Sequence, residues 1–499
     1  MHTPHQALAD RSPFKGKFSG PSAFVDKLQA YRLLPFDFER LDGDRYFLTN
    51  MAGEFVLASR PELQQIVDCS LSPVDRLYAE LKAKHFIESG NSLAAPELLA
   101  VKVRTKADFI RRFTALHMFV VTLRCDHSCQ YCQVSRQSED RIAFDMSKDT
   151  AAAALDFTFK SPSPQIKIEF QGGESLLNFD LIRFIVEEAE ARNSICGKDL
   201  QFVAASNLVP LSDEILSFAE GRPFYFSTSL DGPRDLHNRN RPRPGGDSHN
   251  FARTGIKRVR DRLGIARVSA LMTTTADSLA RATDIVDEYL DAGFTGLFLR
   301  PLSPYGFAIK TRQYYNYQVD QWLEFYKSAL SYIIRLNESG VRFQEYYTAL
   351  ILRKMLTPHP TGYVDLQNPS GIGISAIVFN YNGKVFASDE ARMLAEMDDE
   401  RFALGNLTQN TYEEIMLSPN LVDPIQVSVL ESVPMCSDCA FRPYCGSDPV
   451  FHYATTGDFV GHKKFSPFCR RHMGMFKHII GLMESSASTR ELFEAWAWN

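Results

Sequence analysis

Six short strand-like runs, several of them almost continuously apolar, recur between His117 and Leu302: HMFVVTL, IKIEF, LQFVAAS, FYFSTSL, ARVSALMTT and GLFLRPL. A strand that alternates apolar and polar residues keeps one face in water. A strand apolar on both faces needs cover on both, as in parallel sheets flanked by helices. Helical patterns lie between the runs: FDLIRFIVEEAEARN carries Leu181, Ile182, Ile185, Val186 and Ala189 along one face. This rhythm predicts an α/β fold whose parallel sheet curls into a partial (β/α)6 TIM-like barrel. In such folds ligand sites gather at the C-terminal ends of the strands.

A chain of 499 residues exceeds one hydrophobic core, so two to four domains are expected. Residues 1–30 read as a flexible polar tail. Residues 31–114 read as a small α+β winged-helix-like module. There PFDFERLDGDRYFLTN forms two strands around an Asp42-Gly43 turn, and GEFVLAS forms a third. Ser59 and Glu62 have capping-box spacing before a first helix, and a second helix opens at Ser72. The barrel-like core spans 115–305. A helical bridge spans 306–369, with its helical stretch from Tyr314 to Lys354. Residues 370–499 form a Cys-rich extension that begins with a hairpin, GISAIVFNYNGKVFAS, turning at Asn382-Gly383.

Apolar residues at 44% and charged residues at 23% describe an ordinary globular protein. The net charge of −5 argues against nucleic acid as a partner. No run is long and apolar enough for a membrane span, and the first residues lack the apolar core of a signal peptide. The expected location is the cytoplasm, where thiols stay reduced. Nine cysteines there need a use other than disulfides. Cys69 and Cys196 stand alone and read as small buried hydrophobes. The other seven cluster.

The first cluster lies in VTLRCDHSCQYCQVSR, directly after the first apolar run, and places Cys125, Cys129 and Cys132 within eight residues. Three thiolates hold three irons of a 4Fe–4S cube and leave the fourth iron open to a small molecule. The alternative is a zinc site completed by His127. Polar sets follow at the ends of later runs. Gly172, Gly173 and Glu174 let backbone approach a ligand closely; Ser206 and Asn207 end the third run; Ser229 to Gly232, with Asp231, end the fourth. Each alone also reads as a turn or a helix cap. Three in register point to one ligand site.

These motifs resemble the radical S-adenosylmethionine superfamily over roughly Ala115 to Pro304, including Tyr131 before the last cysteine. The resemblance implies S-adenosylmethionine on the open iron and hydrogen abstraction by a 5′-deoxyadenosyl radical. It also implies that the Gly172–Glu174 backbone faces the methionyl amine. Ser229 and Asp231 are implied near the ribose, with Ser206 and Asn207 as further contacts.

CSDCAFRPYCGSDP and FSPFCRRH supply Cys436, Cys439, Cys445 and Cys469. This tail resembles the SPASM extension of peptide-modifying radical enzymes, with a departure. Ser370, Ser388 and Pro449 stand where further cysteines are expected. The missing residues are those of an inner auxiliary cluster, so the resemblance implies one auxiliary 4Fe–4S cluster, on the four that remain. A structural zinc site with four thiolates is the alternative.

The phrases LRCDHSCQYCQVSRQ, SLDGPRDLHNRNRP and CAFRPYCGSDPVFHYATTGDFVGH are similar to the B-component maturase of the His-Xaa-Ser system. That resemblance implies an enzyme acting on a ribosomally made peptide with a leader, a second radical maturase as partner, and an external electron donor. The N-terminal module resembles an element that binds a leader peptide as an added strand. A glycyl-radical activating enzyme and an iron–sulfur electron carrier without S-adenosylmethionine chemistry are the competing functions.

Overall fold

The structure is a computed structural model and describes residues 31–89 and 94–498; the tail expected over 1–30 lies outside the described residues. The N-terminal region contains β1 (Arg32–Leu33), β2 (Phe36–Asp42), β3 (Arg45–Asn50), β4 (Phe55–Ser59) and β5 (Ile87–Glu88). Strands β2, β3 and β4 form an antiparallel sheet, with Asp42 opposite Arg45 across the Gly43-Asp44 turn. Ser59 then caps the helix Arg60–Val67. Its amide donates to Glu62 Oε2 at 2.7 Å, while the Glu62 amide donates to Ser59 Oγ at 3.4 Å. The next helix starts at Arg76 rather than Ser72. The Ser72 amide donates to Asp75 Oδ2 at 3.0 Å, which closes a turn before the helix can begin.

This region is not a free-standing unit. Phe47 lies in the opposite face of the sheet from Leu48 and stacks between Phe55 and Phe441, with ring centroids 5.1 and 5.2 Å away. Thr49 Oγ1 donates to the Ala440 carbonyl, and the Tyr444 hydroxyl donates to the Gly53 carbonyl at 2.8 Å. The module is thereby docked on the Cys-rich tail.

The large sheet collects β6 (Leu116–Thr122), β7 (Gln165–Gly172), β8 (Asp199–Ala205), β9 (Phe224–Ser229) and β10 (Val268–Thr273). Further along the chain come β11 (Gly296–Leu297), β12 (Leu299–Arg300), β13 (Gln344–Glu345), β14 (Ala376–Phe379), β15 (Lys384–Phe386) and β16 (Ala403–Asn406). Its order is β12-β10-β9-β8-β7-β6-β14-β15-β16. All pairings from β12 to β14 are parallel, and β15 and β16 are antiparallel. The helix Phe179–Cys196 buries the five residues its pattern picks out. Phe170, Phe202 and Phe224 stack from strand to strand at 6.4 and 6.3 Å, making a continuous apolar layer. Burial of one such ring contributes about 1.5–3 kcal/mol.

Three expectations need correction. The run GLFLRPL is two short strands, not one: β11 pairs with β13, and after Phe298 the chain switches so that β12 pairs with β10. The Leu299 amide donates to Glu345 Oε1 at 3.1 Å, and this carboxylate stands where the ladder is interrupted. The hairpin expected at the start of the tail does form, β14 pairing antiparallel with β15, but its first strand also gives the core a seventh parallel strand, because β14 pairs with β6 from Leu116 to Phe119. SAIVF is apolar throughout and suits a place covered on both faces. Finally, Cys196 is exposed and Cys69 only half-buried. Cys196 ends its helix beside Gly197, whose left-handed φ of +62° makes the C-terminal cap at the surface.

Candidate functional site

The three-cysteine loop leaves the C-terminal end of β6 and is held from several sides. Arg124 grips Asp145 with both ends of its guanidinium, Nε to Oδ1 at 2.7 Å and Nη2 to Oδ2 at 2.9 Å. The Ser128 amide donates to the Pro242 carbonyl at 2.7 Å, and the Phe307 amide to the Cys132 carbonyl at 2.8 Å. Gly306 lets that second segment in, since a Cβ there would lie 2.5 Å from the Gln133 carbonyl oxygen.

The end of β7 closes against the same loop. Amides of Gly173 and Glu174 donate to the carbonyls of Thr122 and Arg124 at 2.9 and 2.8 Å. A Cβ on Gly172 would sit 1.9 Å from the Thr122 carbonyl oxygen, and one on Gly173 would sit 2.3 Å from that of Arg124. Two strand ends therefore approach to a distance that only glycine permits.

A cavity of about 270 Å³ opens between these ends and the far wall. Cys125, Cys129, Cys132, Gly172, Gly173, Ser206, Asn207 and Ser229 all line it. Eight of the ten residues picked out around this site by sequence thus share one cavity. Glu174 and Asp231 stand behind its wall. The Glu174 carboxylate accepts from the Asn207 amide at 2.6 Å and the Leu176 amide at 3.0 Å, fixing the turn that presents Asn207. Burial pushes its carboxyl up to about 7 despite those hydrogen bonds.

Asp231 is fully buried, and its oxygens are taken. Arg241 donates from Nε at 3.0 Å and Nη2 at 3.2 Å, Tyr131 donates its hydroxyl, and the Thr273 amide donates at 3.3 Å. Asp231 therefore bears on the cavity through Arg241, which it holds at both oxygens. Burial alone would raise the Asp231 carboxyl, but Arg241, His237 and the Tyr131 hydroxyl together outweigh it and hold the group below its usual range. It is Arg241 that lines the cavity. Sequence reasoning missed it, along with Glu169 and Asp389, which line the cavity together with Arg300. The signal available was RNRPRP, a basic stretch that begins eight residues past Asp231, read only as part of a longer resemblance.

His127 is buried beside the loop. Its Nδ1 lies 2.9 Å from Asp126 Oδ1 and 2.8 Å from Asn207 Nδ2. Cys125, Asp126 and His127 form a compact group of possible metal ligands. The imidazole is already engaged by Asp126 and Asn207, as a local hydrogen-bonding residue would be. Burial pushes the Cys125 thiol far up and the Cys129 thiol up to about 12, the latter against the pull of Arg241. Thiols so disfavoured as bare anions suit a cationic metal that stabilises the thiolates.

In the tail, Cys436 and Cys439 lie on one turn, with the Cys439 amide donating to the Cys436 carbonyl at 3.1 Å. Cys469 is in the first turn of the helix Pro467–Ser485, where Ser466 Oγ accepts its amide at 3.3 Å. A helix N-terminus favours thiolate. Charges on Cys436, Cys439, Cys445 and Cys469 act on one another, so the four thiols share one region of the fold. Lys354 Nζ donates to the Cys445 carbonyl, and Lys463 faces Cys436, Cys445 and Cys469. This donor set fits a metal centre of negative net charge. Ser388 caps the helix Asp389–Ala395, and Pro449 opens the helix Pro449–Thr456, so neither position offers a ligand. Among the described residues no helix is long and apolar enough to cross a membrane.

The family model described as the Radical SAM superfamily matches residues 119–298. An uncharacterized protein of Methanocaldococcus jannaschii is 33% identical over 112 residues, which is 22% of this chain and 37% of that protein. The match thus spans little more than a third of that relative. Native anSMEcpe with bound AdoMet and Cp18Cys peptide has a TM-score of 0.62 at 16% identity, covering 76% of this chain and 99% of its own. SuiB of Streptococcus suis bound to S-adenosylmethionine has a TM-score of 0.50 at 11% identity, covering 83% and 94%. At these identities the likeness is one of fold.

Proposed function

Residues 119–298 belong to the Radical SAM superfamily, and from that premise we propose that the chain is a radical S-adenosylmethionine enzyme that modifies a ribosomally made peptide. The observation that carries the reading is the convergence of the three-thiol loop, the Gly172-Gly173 approach and the Ser206, Asn207 and Ser229 hydroxyl and amide groups on one cavity. In this reading Cys125, Cys129 and Cys132 hold a 4Fe–4S cluster with one iron left for S-adenosylmethionine. When bound, this pair supplies a 5′-deoxyadenosyl radical able to take hydrogen from an unactivated carbon.

The chain's own residues then orient the ligand. Gly172 and Gly173 leave room for its methionyl end, and Glu174 fixes the turn behind Asn207. Ser206, Asn207 and Ser229 offer hydrogen bonds along the cavity wall. Arg241, aimed by Asp231 and stacked on Tyr131 at 5.4 Å, presents a fixed positive charge that suits a carboxylate. Cys436, Cys439, Cys445 and Cys469 hold an auxiliary 4Fe–4S cluster, with zinc as the alternative occupant.

The substrate in this reading is a His-Xaa-Ser repeat peptide with a leader, and the product carries a cross-link or another change at an unactivated carbon. A second radical maturase and an external electron donor are the expected partners, in the cytoplasm. The edges of the β2-β3-β4 sheet support leader binding, because among the described residues β2 and β4 each pair on one side only. The peptide held by anSMEcpe supports a peptide substrate on the same fold.

Anaerobic reconstitution followed by metal analysis and S-adenosylmethionine turnover under a strong reductant tests the reading. About eight irons per chain with 5′-deoxyadenosine formed is the expected result. About four irons plus zinc, still with 5′-deoxyadenosine, would make the tail a zinc site. A fully loaded protein that never forms 5′-deoxyadenosine, with or without peptide, would be an electron carrier instead.

A further inference from the structure

A second, smaller cavity of about 30 Å³ lies behind Arg300. That is space for a water or two. Three carboxyl groups from separate segments face it: Asp365 from the turn Val364–Leu366, Glu390 from the first turn of the helix Asp389–Ala395, and Asp448 from the cap of the helix Pro449–Thr456. Two guanidiniums, Arg300 and Arg471, face the same space. Three acids against two permanent cations leave one carboxyl without a counter-charge. Enclosing an unpaired charge costs far more than keeping its proton.

The remaining neighbours agree. Tyr363 hydrogen-bonds Asp365, and the Tyr347 hydroxyl is occupied by His472. The Tyr305 hydroxyl, on a residue 1% exposed, faces the cavity with no hydrogen-bond partner in protein. A buried hydroxyl in a polar void of this size calls for water. Burial and the neighbouring carboxylates push Glu390 up to about 7 and Asp448 well above its usual range.

The two cavities adjoin. Arg300 lines both, Asp389 lines the larger one beside Glu169, and Glu390 is the next residue along the chain. We propose that Asp365, Glu390 and Asp448 form a proton-exchange site, in which one proton is shared through enclosed water and traded with the larger cavity by way of Asp389. The step is a proton transfer alone: an O–H bond forms on one carboxyl group as the donor's O–H or N–H bond breaks, and no electron moves. The stored proton stands on the geometry; its delivery to a substrate rests on the proposed function.

Infrared difference spectra of the full-length reconstituted protein, in H2O and D2O, test the store directly. A protonated-carboxyl C=O band is expected to persist at about pH 7 and to lose intensity in both Glu390→Gln and Asp448→Asn. Tyr305→Phe removes a hydroxyl that no protein group engages, only the enclosed water, and keeps the fold. It is expected to shift the midpoint of the band by about one pH unit, the equivalent of one hydrogen bond. No such band in the wild type, or a band that none of the three substitutions alters, would overturn the proposal. Peptide-free formation of 5′-deoxyadenosine should stay within about twofold in Glu390→Gln. If the wild type forms none, the proposed function fails while the infrared result still decides the proton store.

Discussion

Asp231 holds Arg241 through both carboxylate oxygens, at 3.0 and 3.2 Å, and the same carboxylate accepts the hydroxyl of Tyr131 from inside the three-cysteine loop. One buried acid thus ties the end of β9 to the loop and to a guanidinium in the cavity wall. Removing it leaves a desolvated cation. Asp231→Leu is expected to destabilise the fold by about 3–5 kcal/mol, and Asp231→Leu with Arg241→Met to recover part of that loss. Urea unfolding of the two single variants and the double variant measures the coupling. Additive losses would mean that the pair does not act as a unit.

Gly173→Ala drives a Cβ to 2.3 Å from the Arg124 carbonyl oxygen, directly against the first cysteine's neighbour. The loop has to move, so iron per chain is expected to fall from about eight to about four, with the tail's share intact. Gly197→Ala is the control. Nothing lies within 4 Å of a Cβ there, and its left-handed φ of +62° costs about 1–2 kcal/mol without touching metal content. Equal iron loss in both variants would make the effect one of general stability.

Phe47 joins the N-terminal sheet to the tail by stacking on Phe441. Phe47→Ala is expected to cost about 3–5 kcal/mol. The loss should register at the tail too, as faster chelator extraction of metal from the four-cysteine site. Extraction at the wild-type rate would show that the docked module lends the tail nothing.

Acid should unfold the protein partly through His117. The ring is buried in β6 and donates from Nε2 to the Thr114 carbonyl at 3.2 Å; burial lowers its pKa to about 3, against 6.5 when unfolded. Between those values the unfolded chain binds a proton that the folded chain refuses. Stability is therefore full above about pH 6.5 and declines as the pH falls toward 3. At about 1.4 kcal/mol per unit, the window is worth at most about 5 kcal/mol. His117→Leu should flatten the dependence of Tm on pH below 6.5. The Thr114 carbonyl keeps Ser161 Oγ as donor at 2.5 Å, so the substitution orphans no acceptor.

The local parts of this fold were legible because they are written in adjacent residues. The five apolar positions of the helix Phe179–Cys196, the Ser59 and Glu62 cap, and the cysteine spacing each answer to contacts within a few residues. What escaped depends on which distant segments meet. SAIVF reads as half of a hairpin, which it is, but that it also joins the core depends on the distant partner β6. Asp231 was found by position but its partner Arg241 was not, because RNRPRP shows no sign of turning Arg241 back onto it. The absent cysteines at 370, 388 and 449 were plain, whereas the acids near them, Asp365, Glu390 and Asp448, acquire meaning only when three segments share one cavity.

The pairing of β14 with β6 also sets an order of events during synthesis. The strand that leads into the first cysteine loop ends at Thr122, yet its outer neighbour is not made until Phe379. For the translation of more than half the chain, β6 presents an open row of amides and carbonyls, the kind of edge that recruits other chains. A fragment ending after the helical bridge would contain six of the seven parallel strands and still carry that edge. Nascent chains should therefore need a chaperone, or a slow ribosome, up to the point where Ala376–Phe379 leaves the exit tunnel, and nonsense truncations before it should aggregate rather than persist as a working core.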